Sequence, residues 1–150
     1  QGGWNAWRAA GAPVSKDTPN FPPVTFRAQT DEAQNATADW IQENLPRPDS
    51  VLLDVRSEGE FAMGHIPGAV NWSYDRALDM RTQTLKDADD LKRQLASVGV
   101  TPDKQVVVYC QSGARSSHSY LVVKSLGFPR VRNYKGSMID WYQLRGLPLE

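Results

Sequence analysis

The sequence predicts an α/β fold, a sheet with helices covering both faces. Two observations carry this. Val51-Leu-Leu-Asp-Val55 and Val106-Val-Val-Tyr109 are continuous apolar runs, not alternating ones, as strands buried on both faces require. Between and after them lie stretches with helical spacing, so strands alternate with helices. In such sheets ligands bind beyond the carboxyl ends of the strands, and the only cysteine, Cys110, stands at one of those ends.

Taken in order, Gly2 to Arg8 predicts one or two helical turns, closed by Gly11 and Pro13. Four prolines between positions 13 and 23 then favour extended, semi-rigid chain, with Val24-Thr-Phe26 a possible short strand. Thr30-Asp31 predicts a helix start, and Ala33, Ala36, Trp40, Ile41 and Leu45 form one stripe that Pro46 and Pro48 end. The strand Val51–Val55 follows, then a short helix from Glu58 to Met63 stopped by Gly64. His65-Ile-Pro-Gly68 is turn chemistry leading to a strand at Ala69–Trp72. Asp87 caps a helix bearing Leu91, Leu95 and Val98, with Gly99 at its end. The strand Val106–Tyr109 runs into Cys110-Gln-Ser-Gly-Ala-Arg115, and Tyr120 to Val123 mark the helix beyond. Val131–Tyr134 is a last strand and Met138–Leu144 a last helix.

Lys and Arg total 17 and Asp and Glu total 17, so net charge gives no reason to expect nucleic acid or an anionic membrane as partner. No apolar run approaches a membrane span. One cysteine excludes an internal disulfide and a cysteine-rich zinc site, and no metal or cofactor is expected. Compartment is undetermined, with a slight lean to the cytoplasm.

The chemistry concentrates at Cys110. A buried strand that breaks into a small-residue loop and then a helix aims backbone N–H groups at the loop's start, where the helix dipole is positive. A thiol placed there has its pKa lowered and serves as an exposed nucleophilic thiolate. Gly113 supplies the backbone freedom that turns those groups inward. Asp54 and Arg56 read as a structural ion pair or as loop supports, and His65 as a turn residue bonded to backbone. His118, one turn into the following helix, is a secondary candidate for touching the site. Trp40, Trp72 and Trp141 read as packing.

An internal echo is also present. Gly2 to Gly136 and Trp7 to Trp141 are each 134 residues apart, while Gly11 to Gly146 and Pro13 to Pro148 are each 135 apart. Each set reads as Gly, a Trp-bearing helix, then Gly-x-Pro, which suggests that the chain opens with the tail of an earlier copy of the same unit.

Three segments together resemble the rhodanese family of sulfurtransferases. They are Leu53-Asp-Val-Arg56 with Glu60-Phe61 and Gly64-His-Ile-Pro-Gly-Ala69; the six-residue loop Cys110 to Arg115; and Asn133-Tyr-Lys-Gly-Ser137 with Trp141 and Gly146-Leu-Pro148. The resemblance implies a mostly parallel five-stranded central sheet. It implies a catalytic Cys110 that takes a sulfur atom as a persulfide and passes it to cyanide or a thiol. Gln111, Ser112, Gly113, Ala114, Arg115 and Ser116 would form the substrate-binding loop. The donor is thiosulfate or 3-mercaptopyruvate, with thiosulfate preferred, and Arg115 either meets an anionic donor or ties the loop down through a carboxylate. The same resemblance implies a tandem arrangement. Residues 1–27 would be the tail of a preceding domain plus linker, residues 28–150 the catalytic domain, and the missing first domain a partner, in the same or in a separate chain. A cysteine-loop phosphatase is the first rival, disfavoured because its loop is one residue longer. A non-catalytic binding module is the second, disfavoured because it usually lacks the cysteine.

Overall fold

The computed structural model describes residues 2–45 and 47–150, so Pro46, expected to help end a helix, lies outside the described residues. The central sheet is β1 (Ser50–Asp54), β2 (Ala69–Asn71), β5 (Gln105–Tyr109) and β6 (Val131–Asn133), all parallel in the order β2-β1-β5-β6. A separate antiparallel pair, β3 (Leu78–Asp79) and β4 (Thr84–Leu85), flanks it. The helices are α1 (Gly3–Ala9), α2 (Ala38–Asn44), α3 (Glu58–Ala62), α4 (Ala88–Ser97) and α5 (Ala114–Ser125), followed by a π-helical segment at Ile139–Leu144.

The expected α/β architecture is present, with four strands in the main sheet where five were expected. The fifth position is reduced to a single parallel bridge between Asn35 and Asn133 beside β6, and Val24 and Phe26 lie outside any strand and are exposed. That bridge also corrects the first long helix. Asp31 caps only a short 3-10 turn at Glu32–Gln34. The chain then extends so that the Ala36 N–H can donate to the Asn133 carbonyl at 3.1 Å. Thr37 caps α2 through its hydroxyl, which accepts from the Trp40 N–H.

Strand side chains alternate between the two faces, and both are covered. Val51, Leu53, Val55, Val106, Val108 and Cys110 pack with Leu91 and Leu95 of α4 and Val122 and Val123 of α5. Leu52, Val107 and Tyr109 pack on the other side with Ile41 of α2, Tyr134 and Trp141. The continuous apolar runs therefore report two-sided burial, as the sequence predicts. Trp72 and Trp141 are core residues and Trp40 is half-buried, its ring lying 4.6 Å beneath the Arg132 guanidinium. Among the described residues, no helix is long and apolar enough to cross a membrane.

Candidate active site

β5 delivers Cys110 to the carboxyl edge of the sheet, and α5 begins four residues later at Ala114. Gly113 joins them with φ +95°, a backbone state that L side chains rarely adopt. From that conformation its N–H donates to the Cys110 Sγ at 3.2 Å. Its carbonyl accepts from the hydroxyls of Ser116 and Ser117 at 3.0 and 2.8 Å, which ties the loop to the first turn of α5. The opposite wall is the segment after β6. Ser137, fully buried and at φ +54°, accepts the Cys110 N–H at 3.1 Å and donates to the Tyr134 carbonyl at 2.9 Å. Met138 and Ile139 donate their N–H groups to the carbonyls of Cys110 and Gln111.

Burial is the largest single influence on the Cys110 thiol and pushes its pKa up. Hydrogen bonds from the amides of Ser116, Ser112 and Gly113, with the Ser116 hydroxyl, act against it, and the net position is below an ordinary thiol. The lowered thiol agrees with the expectation from sequence. The expected exposure does not: the residue is 1% exposed and joins the apolar cluster beneath the loop. Alternation along β5 puts Cys110 on the same face as Val106 and Val108, so the geometry that starts the loop also draws the sulfur inward.

Of the remaining loop side chains, Gln111 and Arg115 are half-buried and Ser112 is exposed. Arg115 forms a two-pronged pair with Glu60, Nη1 to Oε2 at 2.7 Å and Nη2 to Oε1 at 2.8 Å. The hydrogen bonds from Arg115 are the largest influence on Glu60 and bring its carboxyl down to about 2. Arg115 is held firmly protonated, first by Glu60 and further by the nearby Cys110 sulfur. Of the two roles open to Arg115 in the sequence, the structure displays the carboxylate tie. Glu60 is fixed from behind by a capping box, accepting from the Ser57 N–H at 3.1 Å and the Ser57 hydroxyl at 2.9 Å. The Ser-x-x-Glu spacing signals that cap, whereas the partnership with Arg115 is not a local signal.

Asp54 and Arg56 form the structural pair that their spacing suggests. The Arg56 guanidinium donates to both Asp54 oxygens at 2.6–3.1 Å and to the Gly64 carbonyl at 2.8 Å, with side chains 5% and 0% exposed. Asn71 donates to the carbonyls of both residues, and Tyr109 accepts the Ile66 N–H. Asn71 and Tyr109 brace the site without standing out in the sequence. His65 stacks on Phe61 at 3.7 Å and donates from Nδ1 to the Phe61 carbonyl, the backbone role expected of it. His118 is not in the site. Its ring meets the edge of Tyr74 and lines an apolar groove with Leu78, Leu85 and Val122; burial holds its pKa low. Beside the loop opens a cleft of about 310 Å³ lined by Arg56, Glu60, Met63, Gly64, Gln111 and Met138, among others. Among the described residues, no cluster of His, Cys, Asp and Glu has the makings of a metal site.

Comparison with known proteins gives a consistent picture. A family model described as Rhodanese-like domain matches residues 37–144. The chain is 35% identical to a protein named sulfur carrier protein TtuD from Thermus thermophilus, covering 99% of this chain and 59% of that protein. It is 34% identical to a thiosulfate sulfurtransferase from Azotobacter vinelandii, covering 99% of this chain and 58% of that one. The chain thus spans a little under three fifths of the length of these relatives. Among solved structures, a variant of EanB in complex with ergothioneine superposes with a TM-score of 0.88 at 27% identity, covering 99% of this chain and 40% of that one. In another EanB structure a cysteine is present as a persulfide.

Proposed function

The chain belongs to the rhodanese-like family, and on that premise we propose that it is a sulfurtransferase whose sulfur carrier is Cys110. The observation that supports this most directly is the amide cradle: the Gly113 N–H points at Sγ, and the loop amides together lower the thiol against the opposing effect of burial. A thiolate so held is a nucleophile that needs no separate general base. Its sulfur attacks the outer sulfur of thiosulfate. The Cys110 S–S bond forms, the donor S–S bond breaks, and sulfite leaves with the electron pair. The persulfide keeps the negative charge and remains within reach of the same amides. An acceptor such as cyanide or a thiol then attacks the outer sulfur and returns the Cys110 thiolate. With 3-mercaptopyruvate the same attack breaks a carbon–sulfur bond and releases pyruvate after protonation. Relatives named for thiosulfate favour that donor.

We also propose that residues 1–27 are the closing motif of a preceding domain and its linker, and residues 28–150 the catalytic domain. The echo seen in the sequence extends to hydrogen bonds. Trp7 Nε1 donates to the Pro13 carbonyl at 2.9 Å, and Trp141 Nε1 donates to the Pro148 carbonyl at 2.9 Å. The Ala12 N–H bonds the Trp7 carbonyl as the Leu147 N–H bonds that of Trp141. Trp141 is buried in this domain, whereas Trp4 and Trp7 are 57% and 49% exposed, which fits a helix whose own domain is the expected partner.

The experiment is intact-mass measurement after incubation with thiosulfate and, separately, with 3-mercaptopyruvate. A gain of one sulfur atom, lost on adding cyanide and absent in Cys110→Ser, is expected. No gain from either donor would overturn the reading.

A further inference from the structure

Arg56 and Glu60 line the cleft beside Gln111, and Arg115 adjoins it through its pair with Glu60; both arginines already hold an internal carboxylate. Arg56 is committed to Asp54 in a fully buried pair. Arg115 is committed to Glu60, but there both side chains are about 30% exposed, at 28% and 30%. The distinction is chemical. A buried pair has no route of exchange, whereas a half-exposed fork can trade one oxyanion for another. The Arg115 fork presents two parallel N–H groups, the arrangement that suits two oxygens of a carboxylate or of a sulfonate-like group. The neighbouring loop side chains, Gln111 and Ser112, are neutral and offer no substitute cation. Glu60 itself is pre-placed by Ser57 and the start of α3, so it pays little ordering cost in holding Arg115.

We propose that Glu60 is a donor-selectivity determinant: an internal anion that occupies Arg115 and must yield at least part of it before a doubly charged sulfur donor can bind. The inference rests on the sulfur-transfer reading and names what that site prefers. A dianion such as thiosulfate competes with Glu60 for the fork and also meets its negative charge across the cleft. A singly charged donor of the same sulfur–sulfonyl chemistry needs the fork less and is repelled less. Glu60 acts here through Arg115, as a positioning residue.

The test compares wild type with Glu60→Gln, which keeps the shape and the bonds to Ser57 but removes the charge. Steady-state KM is measured for thiosulfate and for an alkanethiosulfonate monoanion. Loss of one opposing charge beside a charge-assisted pair is worth about tenfold, so KM for thiosulfate falls about tenfold and the ratio of the two KM values moves with it. Ser57→Ala guards against a merely structural effect, because it loosens the cap of α3 yet retains the Glu60 charge; it keeps the wild-type ratio. An unchanged ratio in Glu60→Gln overturns the proposal, as does an equal shift in Ser57→Ala. Calorimetric titration of thiosulfate into Cys110→Ser, with and without Glu60→Gln, repeats the comparison with no sulfur transfer. About tenfold tighter binding is expected in the double variant, and equal binding refutes the role of Glu60. Persulfide absent from wild type with every donor refutes the sulfur-transfer reading alone, because the titration still decides whether Glu60 competes for Arg115.

Discussion

Gly113→Ala isolates the amide cradle from the rest of the fold. A Cβ built at Gly113 lies 2.6 Å from the Lys135 carbonyl oxygen, and ordinary contact begins near 3.4 Å, so the two backbones must part by 3.4 − 2.6 = 0.8 Å. Neither side yields easily. The Lys135 side is held by Ser137 and by the Met138 N–H on Cys110, and the Gly113 side is the first turn of α5. If the loop takes most of the shift, the N–H to Sγ distance grows from 3.2 Å to about 4 Å, beyond a useful hydrogen bond. A charge-assisted bond is worth about 1.5–3 kcal/mol, so its loss raises the thiol pKa. Positive φ adds a strain of about 1–2 kcal/mol to the folded state. Gly127→Ala is the control, because Gly127 has φ +89° but open space around it, so it carries the strain without touching the sulfur. The assay is the rate of iodoacetamide alkylation of Cys110 against pH, with a thermal melt on each variant. The midpoint rises in Gly113→Ala and stays in Gly127→Ala. Stability follows the same sign. The folded pKa lies below the unfolded one, so the thiolate contributes stability that is present above the unfolded thiol pKa and is lost as pH falls through the folded value. The stability gap between wild type and Gly113→Ala therefore widens from mildly acidic to alkaline pH. A folded Gly113→Ala with the wild-type alkylation midpoint would refute the cradle as the source of the lowered thiol.

Two further outcomes follow from the supports around the site. Arg56→Met strands the fully buried Asp54 carboxylate and costs about 3–5 kcal/mol in chemical denaturation, part of which returns when Asp54→Asn is added. His118→Phe, on the Tyr74 side of α5, leaves the rate of persulfide formation as it is in wild type, whereas a large drop in stopped-flow measurements would bring His118 back into the mechanism.

Much of this was legible in the residues because the informative signals are local. The runs Val51–Val55 and Val106–Tyr109 carry two-sided burial in their composition, and Asp87, Gly64 and Gly99 mark helix ends by their own backbone chemistry. What the sequence hid was decided by partners far along the chain. The stripe from Ala33 to Leu45 has the right apolar residues, yet pairing of Asn35 and Ala36 with Asn133, nearly a hundred residues away, breaks the helix in two. The strand expected at Val24–Phe26 does not form, and both residues are exposed. Nothing local marks Glu60 as the counter-ion of Arg115. Cys110 reads as a strand-end thiol, while its burial follows from the face it shares with Val106 and Val108.

The two similar segments around Trp7 and Trp141 differ in length by one residue, and the structure shows how that difference is accommodated. Trp7 and Gly11 are four residues apart, Trp141 and Gly146 five, and their glycines nonetheless take nearly the same left-handed backbone, φ +65° and φ +62°. Both tryptophans also keep the 2.9 Å bond to a proline carbonyl. The extra residue falls within Ile139–Leu144, the stretch that winds as a π-helix, while Gly3–Ala9 winds as an ordinary α-helix. A π-turn is the local way for a helix to hold one more residue without turning its ends out of register. The same stretch begins beside the Cys110 loop, where the Ile139 N–H bonds the Gln111 carbonyl, and its Trp141 packs against the core under Tyr134 and Tyr109. The extra residue therefore lies in a helix that meets two demands at once, a tryptophan seated in the core and a first turn seated on the cysteine loop. Gly3–Ala9, an ordinary α-helix, carries no such extra residue.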